Sequence, residues 1–210
     1  MTRPYHASSR RSSGFTLLEV MMALTVLAIG MLGMVALQTS TVTATQQANQ
    51  FAIANSIART WVSRLQRDAQ RWNHPSKYVA SSDLTTDTVW LARATDTAGW
   101  FRPVISATLE PLSSPGFDMY GNDLPAASMA NAVYCTHLRL RQLYPNSMIQ
   151  AEVRVFWRKR KIANPTLYAT LSIPAGGFCD PAVDPAVVGR DDANFHWTYS
   201  VTGINQTRAE

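Results

Sequence analysis

From Phe15 to Leu37 the chain runs for 23 residues with a single charge, Glu19. As a helix this stretch is long enough to cross a hydrocarbon layer about 30 Å thick, so the chain has a membrane segment. The basic flank lies wholly before it, at Arg3, Arg10 and Arg11, and no charged residue follows until Arg59. The positive-inside bias therefore places the N-terminus in the cytoplasm and the bulk of the chain outside. A carboxylate at the centre of a spanning helix costs roughly 2.5–3.5 kcal/mol on insertion scales, less near the helix end, and such residues mark function by default. Glu19, one turn from the helix start, can reach the headgroups and is eased by the positive helix N-terminus. That accounts for its tolerance and gives no reason for its presence.

The block Gly14-Phe15-Thr16-Leu17-Leu18-Glu19, followed by the long apolar helix, closely resembles the prepilin signature of type IV pilins and of type II secretion pseudopilins. The resemblance implies that prepilin peptidase cuts after Gly14 on the cytoplasmic side and methylates the new amine of Phe15. Gly14 and Phe15 are then processing residues; a glycine, lacking Cβ, lets its backbone approach a protease without strain. The resemblance further implies that Glu19 is an assembly residue, setting register by meeting the Phe15 amine of a neighbouring subunit. A secretory signal peptide would instead have an apolar core of about 7–15 residues with its cleavage site after that core. An unprocessed single-pass anchor would need neither Gly14 nor Glu19.

Within the helix, Ala28-Ile29-Gly30-Met31-Leu32-Gly33 and Leu37-Gln38 resemble the corresponding segment of PilV-type minor pilins, low-abundance subunits implicated in starting and capping the pilus. Gly30 and Gly33 equally suit close packing of helices in lipid. No Pro occurs between Phe15 and Trp72, unlike the kinked helix of many major pilins, and the retained Glu19 is unlike the outermost tip pseudopilin. The implied partners are prepilin peptidase, other minor pilins and the major pilin, the inner membrane and a large tip adhesin. The implied itinerary is a single-pass inner-membrane protein with a periplasmic head, then the extracellular pilus. The alternatives are a minor pseudopilin of a type II secretion system and an unprocessed, membrane-anchored periplasmic binding protein.

The net charge of +5 is largely a property of the first 14 residues, which hold three Arg and no acid; without them it is +2. Basicity is thus no sign of nucleic-acid binding, which wants a basic face on the folded domain. Cys135 and Cys179 both fall in the part placed outside the cytoplasm, where a disulfide is the default. In the chain-entropy account, closing a loop of this length stabilises by between about 3 and about 4.7 kcal/mol.

Four segments follow: 1–14, a cytoplasmic leader that is cleaved; 15–37, the transmembrane and filament-core helix; 38–73, its periplasmic continuation; and 74–210, a β-rich head. The continuation rests on apolar positions at helical spacing through Ala44, Ala48, Phe51, Ala54, Ala58, Trp61, Leu65 and Trp72. Phe51, Trp61, Leu65 and Trp72 read as core, and Arg59, Arg64, Arg67 and Arg71 as the outer face. Asn73-His74-Pro75 ends the helix. Residues 76–131 read as a long connection with a short helix or strand. Strand-like runs cover Val133–Leu143 and Met148–Trp157, joined by a hairpin at Tyr144-Pro145-Asn146-Ser147. In the second run Ile149, Ala151, Val153, Val155 and Trp157 alternate with polar residues, which predicts one buried face and one wet face. Further strands are expected at Thr166–Ile173 and Phe195–Val201. The fold class expected is α+β and pilin-like: an antiparallel sheet in meander order laid on the upper half of a long N-terminal helix.

The sequence carries no pattern for catalysis or for a cofactor. His6, His74, His137 and His196 lack metal-ligand spacing. Asp180, Asp184, Asp191 and Asp192 share a loop without the ordered acids of an EF-hand, and Gly-x-Ser-x-Gly and phosphate-cradling loops are missing. Arg158-Lys159-Arg160-Lys161 reads as a solvated turn, and Asn205-Gln206-Thr207 as a chance glycosylation triplet. A protein that works by binding, and not an enzyme, is the expectation.

Overall fold

The computed structural model describes residues 14–73, 84–94, 99–105, 113–145, 147–159, 177–181, 183–189, 191 and 193–207. The chain divides into two units, residues 1–48 and 49–210. Among the described residues helix α1, Leu17–Trp72, supplies the helix of the first unit and the longest element of the second.

In the second unit α1 buries Ala54, Ile57, Ala58, Trp61, Arg64, Leu65, Asp68, Ala69 and Trp72, the three-and-four spacing that keeps one helical face on a core. Short pieces follow: α2 (Leu84–Asp87), a 3-10 turn at Leu91–Arg93, strand β1 (Gly116–Phe117) and a 3-10 helix at Ala126–Asn131. Strands β2 (Tyr134–Tyr144) and β3 (Met148–Arg158), the short α3 (Pro185–Val188) and β4 (Phe195–Asn205) complete the order. The sheet is antiparallel throughout in the order β1-β2-β3-β4. With α1 packed against it, the fold is the α+β, pilin-like arrangement expected.

The two faces of the sheet are both occupied. On one, Tyr134, Leu138, Leu140, Ile149, Ala151, Val153, Val155 and Trp157 join Trp61, Leu65 and Trp72 of α1 in the main core. On the other, Cys135 and Phe156 join Met129, Cys179, Val183, Val188 and Phe195 in a second cluster. The expectation of a wet face on β3 therefore holds only in part: Arg158 is exposed and Gln150 and Glu152 are half-buried, whereas Arg154 is only 2 % exposed. The cause is the chain from Cys179 to Phe195, which lies over that face and is tied to it by the Cys135–Cys179 disulfide. Gly116 suits the same packing, because a Cβ there would displace the Met129 side chain and crowd Ala132 Cβ at 3.2 Å.

Two further readings change, and one lies outside the described residues, the strand expected at Thr166–Ile173. The described sheet keeps the expected antiparallel meander order, with β3 pairing on one side with β2 and on the other directly with β4. Arg64 is not on the outer face: it sits 5 % exposed in the buried helical series, its Nη1 and Nη2 donating to Asp123 at 2.9 and 2.5 Å. Phe51 is 39 % exposed, resting edge-on against Trp157 with ring centres 4.8 Å apart, at the margin of the core. Arg59, Arg67 and Arg71 are exposed as expected.

Burial of charge is made tolerable by saturating it with donors. Asp68, fully buried, accepts from the backbone N–H groups of Val89 (3.0 Å), Trp90 (2.8 Å) and Leu91 (3.0 Å). One carboxylate thereby pins the Val89-Trp90-Leu91 segment to α1, where Trp90 meets Trp61 edge to face. On the opposite face His137 is buried against Phe156, and its Nδ1 accepts from Arg154 Nη2 at 2.9 Å, which requires a neutral ring protonated at Nε2. Burial first, and then the charges of Arg154 and Arg102, push the His137 pKa well below the ordinary histidine value; burial and Lys159 act the same way on His196.

Two outcomes follow from these buried groups. Asp68→Ala leaves three buried N–H donors without an acceptor and should lower the head's unfolding free energy by about 3 kcal/mol, read from urea titration. Because the folded state holds His137 neutral, its contribution is complete above the unfolded histidine pKa of about 6.5 and declines as pH falls below it, by up to about 1.4 kcal/mol per pH unit for one proton. Melting temperatures followed from about pH 8 to about pH 5 should drop on the acid side, and His137→Gln should flatten that drop, the remainder belonging to His196.

Candidate functional site

The first unit owes its character to apolar surface that is exposed throughout its described residues. Every described residue from Gly14 to Ala48 is exposed, Phe15 at 81 % and Ile29 and Leu32 each at 71 %. Among the described residues, one helix is long and apolar enough to cross a membrane, and its most apolar stretch is wholly unburied. Its hydroxyls do not burden it. Thr25 Oγ1 donates to Met22 O at 2.8 Å, and Thr39, Thr41, Thr43 and Thr45 likewise return their protons to carbonyls three or four residues back. Such internal satisfaction is what a helix in lipid needs.

The helix begins at Leu17, two residues later than the sequence suggests, because Thr16 caps it. Thr16 O accepts from the N–H groups of Glu19 (3.1 Å) and Val20 (3.2 Å), and Thr16 Oγ1 accepts from Glu19 N–H at 3.3 Å. Glu19 consequently occupies the third helical position of a Thr-x-x-Glu start, where a carboxylate faces the positive end of the helix dipole. Gly14, Phe15 and Thr16 stay outside the helix. The Gly14–Phe15 bond thus lies in non-helical, exposed chain one residue before the cap, with Glu19 on the first turn beyond it. Reading the block as a Thr-x-x-Glu cap before an apolar run would have located the helix start from sequence.

The glycines here answer to nothing in their own chain. A Cβ placed on Gly14, Gly30 or Gly33 meets no described atom within 4 Å. Their small size cannot be explained by packing within the described chain, in contrast with Gly116 in the head.

Residues 9–35 match the family model described as the prokaryotic N-terminal methylation motif. They carry a type IV pilin-like prepilin signal. That signal implies processing by prepilin peptidase and assembly with other pilins, and it belongs to a structural, non-enzymatic class of proteins. It also suggests anchoring in a membrane through the apolar helix. The match ends at Val35, so the head is to be understood from its own residues. No curated protein and no solved structure matches the chain.

Of the other residues singled out from sequence, Cys135 and Cys179 are bonded to each other and buried. Among the described residues no group of three or more His, Cys, Asp or Glu is arranged to hold a metal ion. His6, His74, Asp192, Arg160 and Lys161 lie outside the described residues.

Proposed function

We propose that this chain is a PilV-type minor pilin of a type IV pilus, cut between Gly14 and Phe15 by prepilin peptidase and methylated on Phe15. The observation that carries the reading is the Gly14-to-Glu19 block set at the start of an apolar helix that is exposed throughout its described residues up to Ala48. Cleavage removes the three arginines of residues 1–14 and creates a cationic amine on Phe15. Glu19 lies on the first turn of the same helix, its backbone N–H bonded to Thr16. In a bundle of such helices the amine of one subunit and the Glu19 of the next are opposite charges in a medium that strongly favours pairing them.

The apolar helix, residues 15–37, then packs laterally against other pilin helices, with Gly30 and Gly33 allowing close approach. Residues 38–73 continue it into the periplasm, and residues 74–210 form the head that selects neighbours. The sequence Ala28-Ile29-Gly30-Met31-Leu32-Gly33 and the lack of Pro before Trp72 favour a minor over a major subunit. As a minor pilin the protein primes pilus assembly and, with other minor pilins and a large adhesin, forms a tip complex. Its work is binding throughout, with no cofactor.

Glu19→Ala should leave processing at Gly14 intact, since the bond cut lies outside the helix, and should exclude the protein from sheared pili. Normal amounts of the variant in sheared pili would reject the assembly role. A deletion strain should lose twitching and keep protein secretion; the reverse would assign the chain to a type II secretion pseudopilus.

A further inference from the structure

The head contains a basic cleft that the assembly reading leaves unused. It encloses about 470 Å³ and is lined by Arg93, Trp100, Arg102, Val104, Pro181 and Pro185, among others. Its walls are largely apolar and its charge comes from arginine. Arg102 is half-buried, and its Nε and Nη1 are shielded from solvent without a hydrogen-bond partner. A charged donor in that state is costly unless an acceptor arrives.

Arginines also crowd the wall behind it. Trp100 carries the guanidinium of Arg154 at 4.4 Å and that of Arg139 at 4.9 Å from its ring centre. Arg154 is held in place by donating Nη2 to Pro185 O at 2.7 Å and to His137, while its Nε too is buried without a partner. Arg93 stacks over Phe101 beside the cleft. Among the described residues two acids temper this charge: Glu152 is engaged by Arg139 across the β2–β3 ladder, and Asp180 acts on Arg102 from the disulfide loop. The balance of the described residues is positive, and Arg102, with two buried N–H groups unmatched, lines a cleft whose other walls are Arg93 and proline, aliphatic and aromatic side chains.

We infer that this cleft binds an organic carboxylate with an apolar body, its oxygens taken by the Arg102 guanidinium and its hydrocarbon by Trp100, Val104 and the two prolines. A guanidinium pairs with a carboxylate through charge-assisted hydrogen bonds, stronger than those between neutral groups. The apolar walls distinguish such a ligand from inorganic phosphate, which has no hydrocarbon to bury. The carboxylate can come from the end of a peptide or from a free small acid.

The test uses the full chain in detergent micelles and follows the Trp indole and Arg Nε resonances by NMR. The probes are N-acetyl-leucyl-phenylalanine, its C-terminal amide, 4-phenylbutyrate and inorganic phosphate. At least one of the two carboxylates should bind saturably at concentrations up to about 10 mM, with the amide and phosphate at least about tenfold weaker. Arg102→Gln should weaken the carboxylate by about tenfold or more with sheet resonances unchanged. A peptide acid binding more tightly than phenylbutyrate assigns the site to a chain terminus, and the opposite order assigns it to a free acid. Should Arg102→Gln not fold, Trp100→Leu takes its place and should weaken the carboxylate by the same order. The site is overturned if neither carboxylate saturates, if the amide or phosphate binds as well, or if the variant that folds keeps full affinity.

Discussion

Everything in the first unit follows from apolar side chains that have no partner among the described residues. Each Å² of such surface is worth about 25 cal/mol when removed from water, so a bare helix from Leu17 to Leu37 has two stable surroundings, lipid and other apolar helices. The proposed role uses both in turn, first in the membrane and then as a helix of a filament core. Helix hydroxyls are returned to the backbone, and the glycines at 30 and 33 meet nothing among the described residues that would require their small size.

Glu19 is the one charge set into this surface. Thr16 and the Glu19 backbone N–H mark where the helix starts, which sets the carboxylate on the first turn, at the positive end of the helix dipole. In the proposed mechanism a neighbouring subunit's amine neutralises it.

The head solves a different problem, covering both faces of a small sheet. One face was legible: the three-and-four spacing of Ala54, Ala58, Trp61, Leu65 and Trp72 and the alternation from Ile149 to Trp157 both announce a helix packed on a strand. The Tyr144–Ser147 turn was legible too, because Pro and Asn interrupt two β-rich runs. The other face was not, since its cover comes from residues 179–195, where Pro, Asp and Gly disguise the buried Val183 and Val188. Arg64, Asp68 and Arg154 were misread or passed over for one reason: hydropathy assigns charges to water, and only tertiary contacts reveal that Asp123, three backbone amides and a histidine receive them. At the N-terminus the block from Gly14 to Glu19 was readable as a motif, and its Thr-x-x-Glu spacing also carried the Thr16 cap, which was passed over.

The central claim is that proteolysis before Phe15 produces the amine that Glu19 of another subunit meets. Mass spectrometry of the N-terminal peptide of the protein recovered from cells tests it most directly. The account predicts a peptide that begins at Phe15 and carries one methyl group on its amine; a protein that begins at Met1, or at a residue beyond Leu37, would contradict it.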